Sequence, residues 1–221
     1  MTVRKKVALE LGIITALTTV FLFVFPRRNP FVDVALAGFA LVCLGLSAGY
    51  TKKVVWAASP PPVMTNRWKL CIGVTAWVTI PTALLLLSIG VVLGYHEGGW
   101  PAATSRVFNW RIFAAFGCYL PWALMQQTLF QFYLLGRLLA IFPKAQPMPA
   151  VVITGLSFAL VHLPDVWTSL ATAVAGVVWT FIYYRYRLLL PLAFSHAALG
   201  SAFYYGIFGH DLAVEWRAIL P

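Results

Sequence analysis

Residues 121–138 read PWALMQQTLFQFYLLGRL, an apolar stretch interrupted by three glutamines, Gln126, Gln127 and Gln131. The surrounding apolar run extends from residue 111 to residue 142, longer than the roughly 20 helical residues that cross a bilayer core. Gln127 and Gln131 are four residues apart and share one helix face, whereas Gln126 lies to one side of it. Because an amide in hydrocarbon needs a hydrogen-bond partner, the pattern predicts that these side chains face protein, either as contacts between helices or as the wall of a cavity.

The composition is typical of a membrane protein. Hydrophobic residues make up 61% of the chain and charged residues 10%, and the mean hydropathy is +0.84, whereas soluble domains carry about 25% charged residues. The formal net charge is +10, but the basic residues fall in short clusters between apolar runs and not along one face. This distribution favours topology signals at a lipid bilayer and argues against a nucleic-acid partner.

The apolar runs predict an all-α polytopic membrane bundle of about seven transmembrane helices. They cover residues 7–25, 31–50, 70–95, 111–142, 148–163, 166–186 and 188–208, and the fifth is short for a full span. Loops are predicted at 51–69 and 96–105. Most of the 16 Lys and Arg residues fall on the side of the amino terminus. We therefore predict a multi-pass protein of a bacterial-type inner membrane with a cytoplasmic amino terminus.

Two histidines add candidates for chemistry to the glutamines. His162 ends the fifth run in SFALVHLPD, four residues after Phe158, and His196 lies within the seventh run in LPLAFSHAALGSAF. Ionisable residues inside a membrane are functional candidates by default. Each histidine alone could be a packing residue, but together with the glutamines they predict a polar intramembrane site.

The order and spacing of these residues resemble the CPBP or ABI family of intramembrane proteases, which includes the CAAX prenyl endopeptidases. The family has three motifs, EExxxR, FxxxH, and HxxxN or HxxxD. In this chain they fall on Gln126, Gln127 and Gln131, on Phe158 and His162, and on His196 and Gly200. The second motif is intact, whereas the first has glutamine at all three positions and the third has glycine where Asn or Asp is expected. The resemblance covers about residues 121–203.

The resemblance implies a CPBP-like core at 106–208, preceded by three amino-terminal helices at 1–105, in a single membrane domain over residues 1–221. It also implies one intramembrane cavity in which a membrane-associated peptide or protein binds, lined by the catalytic candidates Gln126, Gln127, Gln131, His162 and His196. The substrate-binding candidates are Phe158 and Gly200.

The departures from the family motifs fall on the chemistry. The first glutamate of the family is held to activate water, and Gln126 cannot replace it because an amide has no useful basicity. The second glutamate and the arginine resemble a buried ion pair, and the joint change to Gln127 and Gln131 leaves no charge unpaired. Two hypotheses stay open: a peptidase that uses a histidine as base, or a pseudoenzyme that binds a peptide or partner without cutting it. A transporter is less favoured, since no carboxylate lies mid-run to couple ions.

No cofactor is predicted. Zinc is possible but not favoured, because His162, His196 and an amide lack the third strong ligand of a catalytic zinc site. Asp165, three residues after His162, could be a ligand, but the sequence favours a cap at the start of the next helix.

Overall fold

The computed structural model describes residues 2–24, 30–51, 56, 65–142, 145–163 and 165–209, and all regular structure in these ranges is helical. The α-helices are α1 (Val3–Val24), α2 (Pro30–Tyr50), α3 (Arg67–Val107), α4 (Arg111–Gln127), α5 (Leu135–Ile141), α6 (Met148–Leu160), α7 (Val166–Tyr186) and α8 (Leu189–Phe203). Two π-helical segments, Thr128–Leu134 and Tyr204–Phe208, follow α4 and α8. The all-α prediction is confirmed. Most of the predicted loop 51–69 lies outside the described residues.

Two of the described helices, α3 and α7, are long and apolar enough to cross a membrane. Their best 18-residue windows have mean hydropathies of 2.2 and 1.5, yet only 6% and 33% of those windows are buried within the protein. The core helix of a soluble protein would bury such a surface, so the apolar faces of a membrane protein are the better account. The helical class is confirmed, whereas about seven spans stays a prediction: two spans are supported by length and composition within the described residues.

The chain divides into two compact units. The first consists of Met1–Val63 and Gln127–Arg187, and within it α6 packs closely on α7. A Cβ atom added at Gly155 would lie 2.5 Å from the backbone nitrogen of Val177, and one added at Gly176 would lie 2.8 Å from the Gly155 carbonyl oxygen. These two glycines therefore let the two backbones approach to a distance that larger residues would prevent.

The second unit consists of Met64–Gln126 and Leu188–Pro221. Here α3 packs on α8 and on the π-helical segment that follows it. The hydroxyl oxygens of Thr79 and Ser195 are 2.6 Å apart, and a Cβ atom at Gly90 would lie 2.6 Å from the Cα of Gly206. Close backbone approach between small residues is typical of helix pairs in membranes.

The predicted helix boundaries need three corrections. The helix predicted at 70–95 and the loop predicted at 96–105 form one element, α3, whose axis breaks at Gly98 and Gly99, where φ reaches 69° at Gly99. Helical structure resumes at once because Pro101 sits in a first turn, where a proline is tolerated. The fifth helix ends at Leu160, so His162 lies in the turn after it. The last predicted helix becomes π-helical from Tyr204.

Candidate functional site

The glutamines lie where an α-helix becomes a π-helix. Gln126 and Gln127 end α4, and Gln131 is in the middle of the π-helical segment Thr128–Leu134. A proline inside a helix is expected to kink it, and Pro121 lies inside α4; the departure from α geometry begins seven residues later, at Thr128. π-helical turns are rare and frequently occur at functional sites.

Two of the three glutamines are completely buried. Gln127 and Gln131 both have 0% of their surface exposed, which confirms that they face protein. Neither amide has a hydrogen-bond partner for its nitrogen or its oxygen within the described part of the chain, and the same holds for the buried Oε1 atom of Gln126. A buried amide that forms no hydrogen bond costs about 1–3 kcal/mol. Within the described residues, these donors and acceptors are therefore not satisfied by the protein.

Phe158 and His162 form a compact aromatic group in the first unit. The Phe158 side chain is fully buried, and its ring centroid lies 4.8 Å from that of Phe130 and 5.7 Å from that of Trp179. The His162 ring lies 5.5 Å from the Phe158 ring at an interplanar angle of 34°. Because Phe130 belongs to the π-helical segment, Phe158 connects the helix of the glutamines to the turn that carries His162.

The protonation of His162 follows from its backbone contact. Its Nδ1 atom lies 2.9 Å from the carbonyl oxygen of Phe158. A carbonyl oxygen can only accept a hydrogen bond, so Nδ1 carries the proton in the neutral ring. The lone pair is then on Nε2, the form in which an imidazole accepts a proton or a hydrogen bond. The FxxxH spacing thus fixes one tautomer through the local backbone.

In the second unit, His196 contacts a tyrosine that the sequence did not single out. His196 is 3% exposed, and its Nε2 atom lies 3.3 Å from the hydroxyl of Tyr119. The two rings meet edge to face, with centroids 5.4 Å apart. Gly200 follows one helical turn later, and a Cβ atom there would lie 2.8 Å from Cε1 of Tyr119. The Tyr119 ring therefore fills the space beside Gly200 where an Asn or Asp was expected.

A buried ionic cluster in the first unit was also missed from the sequence. Arg137, which is 1% exposed, places Nη1 2.7 Å from the Thr51 hydroxyl and Nη2 3.3 Å from Oε1 of Glu10. The Tyr133 hydroxyl donates to the same Glu10 carboxylate, and the guanidinium carbon lies 4.0 Å from the centroid of the Tyr133 ring. The signal in the sequence was an arginine inside an apolar run, six residues after Gln131.

A second arginine, Arg187, contacts Trp56, which hydrogen-bonds to the backbone of the π-helical segment. The indole nitrogen of Trp56 donates to the carbonyl of Phe132, within that segment, at 3.1 Å. The guanidinium carbon of Arg187 lies 3.9 Å from the Trp56 ring centroid, a cation–π geometry. Burial lowers the pKa of Arg187 to about 10, so the side chain stays positive at neutral pH. Trp56 thus accepts a cation on its ring face while its indole supports the irregular backbone.

Metal ligands do not converge in the described part of the chain, which holds no group of three His, Cys, Asp or Glu side chains. Asp165 caps α7 as predicted. Its carboxylate accepts from the backbone nitrogens of Trp167 and Thr168 and from the Thr168 hydroxyl. The orientation of this carboxylate is therefore set by the helix that it caps.

Apolar residues exposed on the helix surfaces, together with the buried amides of Gln127 and Gln131 and the buried ring of His196, indicate an α-helical membrane protein with polar groups in its interior. Residues 106–201 match the family model described as type II CAAX prenyl endopeptidase Rce1-like. The resemblance to the CPBP family of CAAX-protease-like membrane proteins is therefore confirmed for this segment, which is less than half of the chain and contains all seven predicted site residues. Neither the curated proteins nor the solved structures include a match.

Proposed function

We propose that this protein binds a membrane-associated peptide at a CAAX-protease-like site and does not hydrolyse it. The observation that carries the proposal is the pair of fully buried amides of Gln127 and Gln131, whose donors and acceptors have no partner within the described residues. A peptide backbone offers one N–H and one C=O per residue, so it matches both groups of each amide. Neither amide can act as a base, so the same positions support binding without supplying proton transfer.

Binding can be tested with purified protein in detergent and fluorescent peptides of two kinds, prenylated CAAX-type peptides and single transmembrane segments. We expect saturable binding by anisotropy and intact peptide by mass spectrometry. Gln127→Met removes both hydrogen-bonding groups with little change in length, so binding should be lost while the protein stays folded. Gln146→Met is the matched control, because Gln146 is exposed. Absence of binding to every peptide, or equal loss in both variants, would overturn the proposal.

A second candidate function is hydrolysis with His162 as the base. The contact of Nδ1 with the Phe158 carbonyl favours it, since it leaves the basic lone pair on Nε2. Cleavage of either peptide class that disappears in His162→Ala, with folding retained, would establish this candidate and exclude the non-hydrolytic one. Cleavage that persists in His162→Ala would exclude both assignments.

We also propose a multi-pass protein of a bacterial-type inner membrane with a cytoplasmic amino terminus. Support comes from the basic residues near the amino terminus, Arg4, Lys5 and Lys6, at the start of α1. The test is labelling of a cysteine introduced at Thr2 with a membrane-impermeant reagent. The existing cysteines are first replaced by serine. Labelling of intact cells, and not only of broken ones, would contradict the orientation.

A further inference from the structure

The contact between Tyr119 and His196 carries an inference that goes beyond peptide binding and does not depend on it. All of its residues belong to the unit Met64–Gln126 and Leu188–Pro221. The Tyr119 hydroxyl lies 3.3 Å from Nε2 of His196, and the edge of the same tyrosine ring lies against Gly200. One side chain therefore contacts the imidazole and occupies the space of a neighbouring position.

The chemistry of the two groups gives the contact a direction. A phenol hydroxyl is a better donor than acceptor, and an unprotonated imidazole nitrogen is a good acceptor. Donation from Tyr119 to Nε2 places the ring proton on Nδ1. His162 has its proton on Nδ1 for a different reason, the contact of Nδ1 with the Phe158 carbonyl. At His196 it is the tyrosine hydroxyl, donating to Nε2, that would select the same tautomer.

The geometry at Gly200 explains why a small residue is needed there. A Cβ atom would lie 2.8 Å from Cε1 and 3.3 Å from Cδ1 of Tyr119. The first distance is shorter than ordinary carbon contacts, and the obstacle is a rigid ring and not the end of a flexible chain. Tyr119 in its observed position and any side chain at 200 therefore exclude each other.

We propose that Tyr119 is the positioning residue for His196: its hydroxyl donates to Nε2 and holds the imidazole in the Nδ1–H tautomer, and its ring requires glycine at position 200. His196 in this state is a hydrogen-bond donor through Nδ1 and not a general base. The tyrosine is not a catalytic residue, because it acts through the histidine.

The tautomer can be read by nitrogen NMR on protein labelled with ¹⁵N-histidine, with His196→Gln used to assign the signals. We expect Nδ1 of His196 to resonate as an N–H nitrogen and Nε2 as an unprotonated one. Tyr119→Phe keeps the ring and removes the donor, so the His196 signals should move toward the other tautomer. Tyr95→Phe, which removes an exposed hydroxyl in the same unit, should leave them unchanged. An Nε2–H tautomer in the unaltered protein, or no response to Tyr119→Phe, would overturn the proposal.

The steric conflict between the Tyr119 ring and a side chain at position 200 can be tested by a double-mutant cycle in thermal unfolding. Gly200→Asn alone should lower the melting temperature by several degrees, because the tyrosine must be displaced. Combining it with Tyr119→Ala should recover most of that loss, whereas Tyr119→Ala alone leaves a cavity and should be destabilising. Strictly additive effects would refute the pairing, even if peptide binding is confirmed. Conversely, the cycle can succeed in a protein that binds no peptide.

Discussion

Two buried polar clusters lie about two helical turns apart along residues 127–137, one of them neutral and the other charged. At Gln127 and Gln131 the side chains are neutral and their amides have no partner in the described structure. At Arg137 the side chain is charged, and its two terminal nitrogens contact Glu10 and Thr51. The first cluster lies at the positions that the sequence comparison predicts to match the EExxxR motif, and the second takes its carboxylate from α1, outside the matched segment.

The difference shows what a buried charge requires in an apolar interior. A cation that lacks an anion costs several kcal/mol, and the attraction of a close partner offsets this only when hydrogen bonds satisfy the remaining donors. Arg137 meets most of this requirement: its two terminal nitrogens contact Thr51 and Glu10 and its guanidinium lies over the ring of Tyr133, while its Nε has no partner within the described residues. The glutamines carry no charge, so they need no counterion. Their amides have no hydrogen-bond partner within the described residues, which is the basis of the proposed ligand binding.

The largest effect is expected when the charged cluster loses one member. Glu10→Ala leaves the buried Arg137 without its carboxylate, and we expect unfolding in detergent to become easier by about 3–5 kcal/mol, nearer the lower figure because Glu10 is partly exposed. The control is Glu97→Ala, which breaks the pair with Arg106 where the glutamate side chain is 61% exposed and should cost about 1 kcal/mol or less. If both variants lost the same free energy of unfolding, the burial of Arg137 would not make its ion pair more important for stability than the exposed pair of Glu97 and Arg106.

A smaller effect is expected when charge is introduced at the neutral cluster. Gln127→Glu places a carboxyl group at a site with 0% exposure, and we expect a loss of about 1–3 kcal/mol. Adding Gln131→Arg supplies a cation four residues away on the same side of the helix and should recover most of that loss. The measurement is thermal unfolding of the single and double variants. If Gln131→Arg makes Gln127→Glu less stable, positions 127 and 131 do not pair and the alignment with the first motif is wrong.

The sequence predicted the helices best where local signals mark both ends. The run 166–186 coincides with α7 because Asp165 caps its start and Arg187 ends it in a left-handed conformation, with φ of 52°. The third helix was predicted to end at residue 95, which is too early, because Gly98, Gly99 and Pro101 are residue types typical of a loop. In the structure only Gly98 and Gly99 have non-helical backbone angles, and Pro101 lies in the first turn of the helix that resumes after them.

The polar clusters were predictable only in part. Burial of Gln127 and Gln131 was predicted from amides in an apolar run. The contact between the rings of Phe158 and His162 was not predicted, although their four-residue spacing allows it. Arg137 and Tyr119 were missed because Glu10 and His196, their partners, are 127 and 77 residues away in the chain. The π-helical segment has no local signature either, since its backbone is supported by Trp56 from another part of the chain.

The smallest expected effect concerns Asp165, the only carboxylate within residues 106–201. If the matched segment contained a catalytic carboxylate of its own, Asp165 would have to supply it, and the site could no longer be described as one without a carboxylate. Its oxygens instead accept from the backbone nitrogens of Trp167 and Thr168.

Asp165→Ala should therefore lower the free energy of unfolding by about 1 kcal/mol, as expected for a lost amino-terminal cap, and leave peptide affinity unchanged. Asp165→Asn is the control, because an asparagine side chain caps nearly as well and carries no charge. Both quantities can be measured on the same preparations, unfolding by heat in detergent and affinity by anisotropy. A loss of binding or of cleavage in Asp165→Asn at full stability would assign chemistry to this carboxylate. The proposal that the amides of Gln127 and Gln131 bind a peptide without help from a carboxylate would then have to be abandoned.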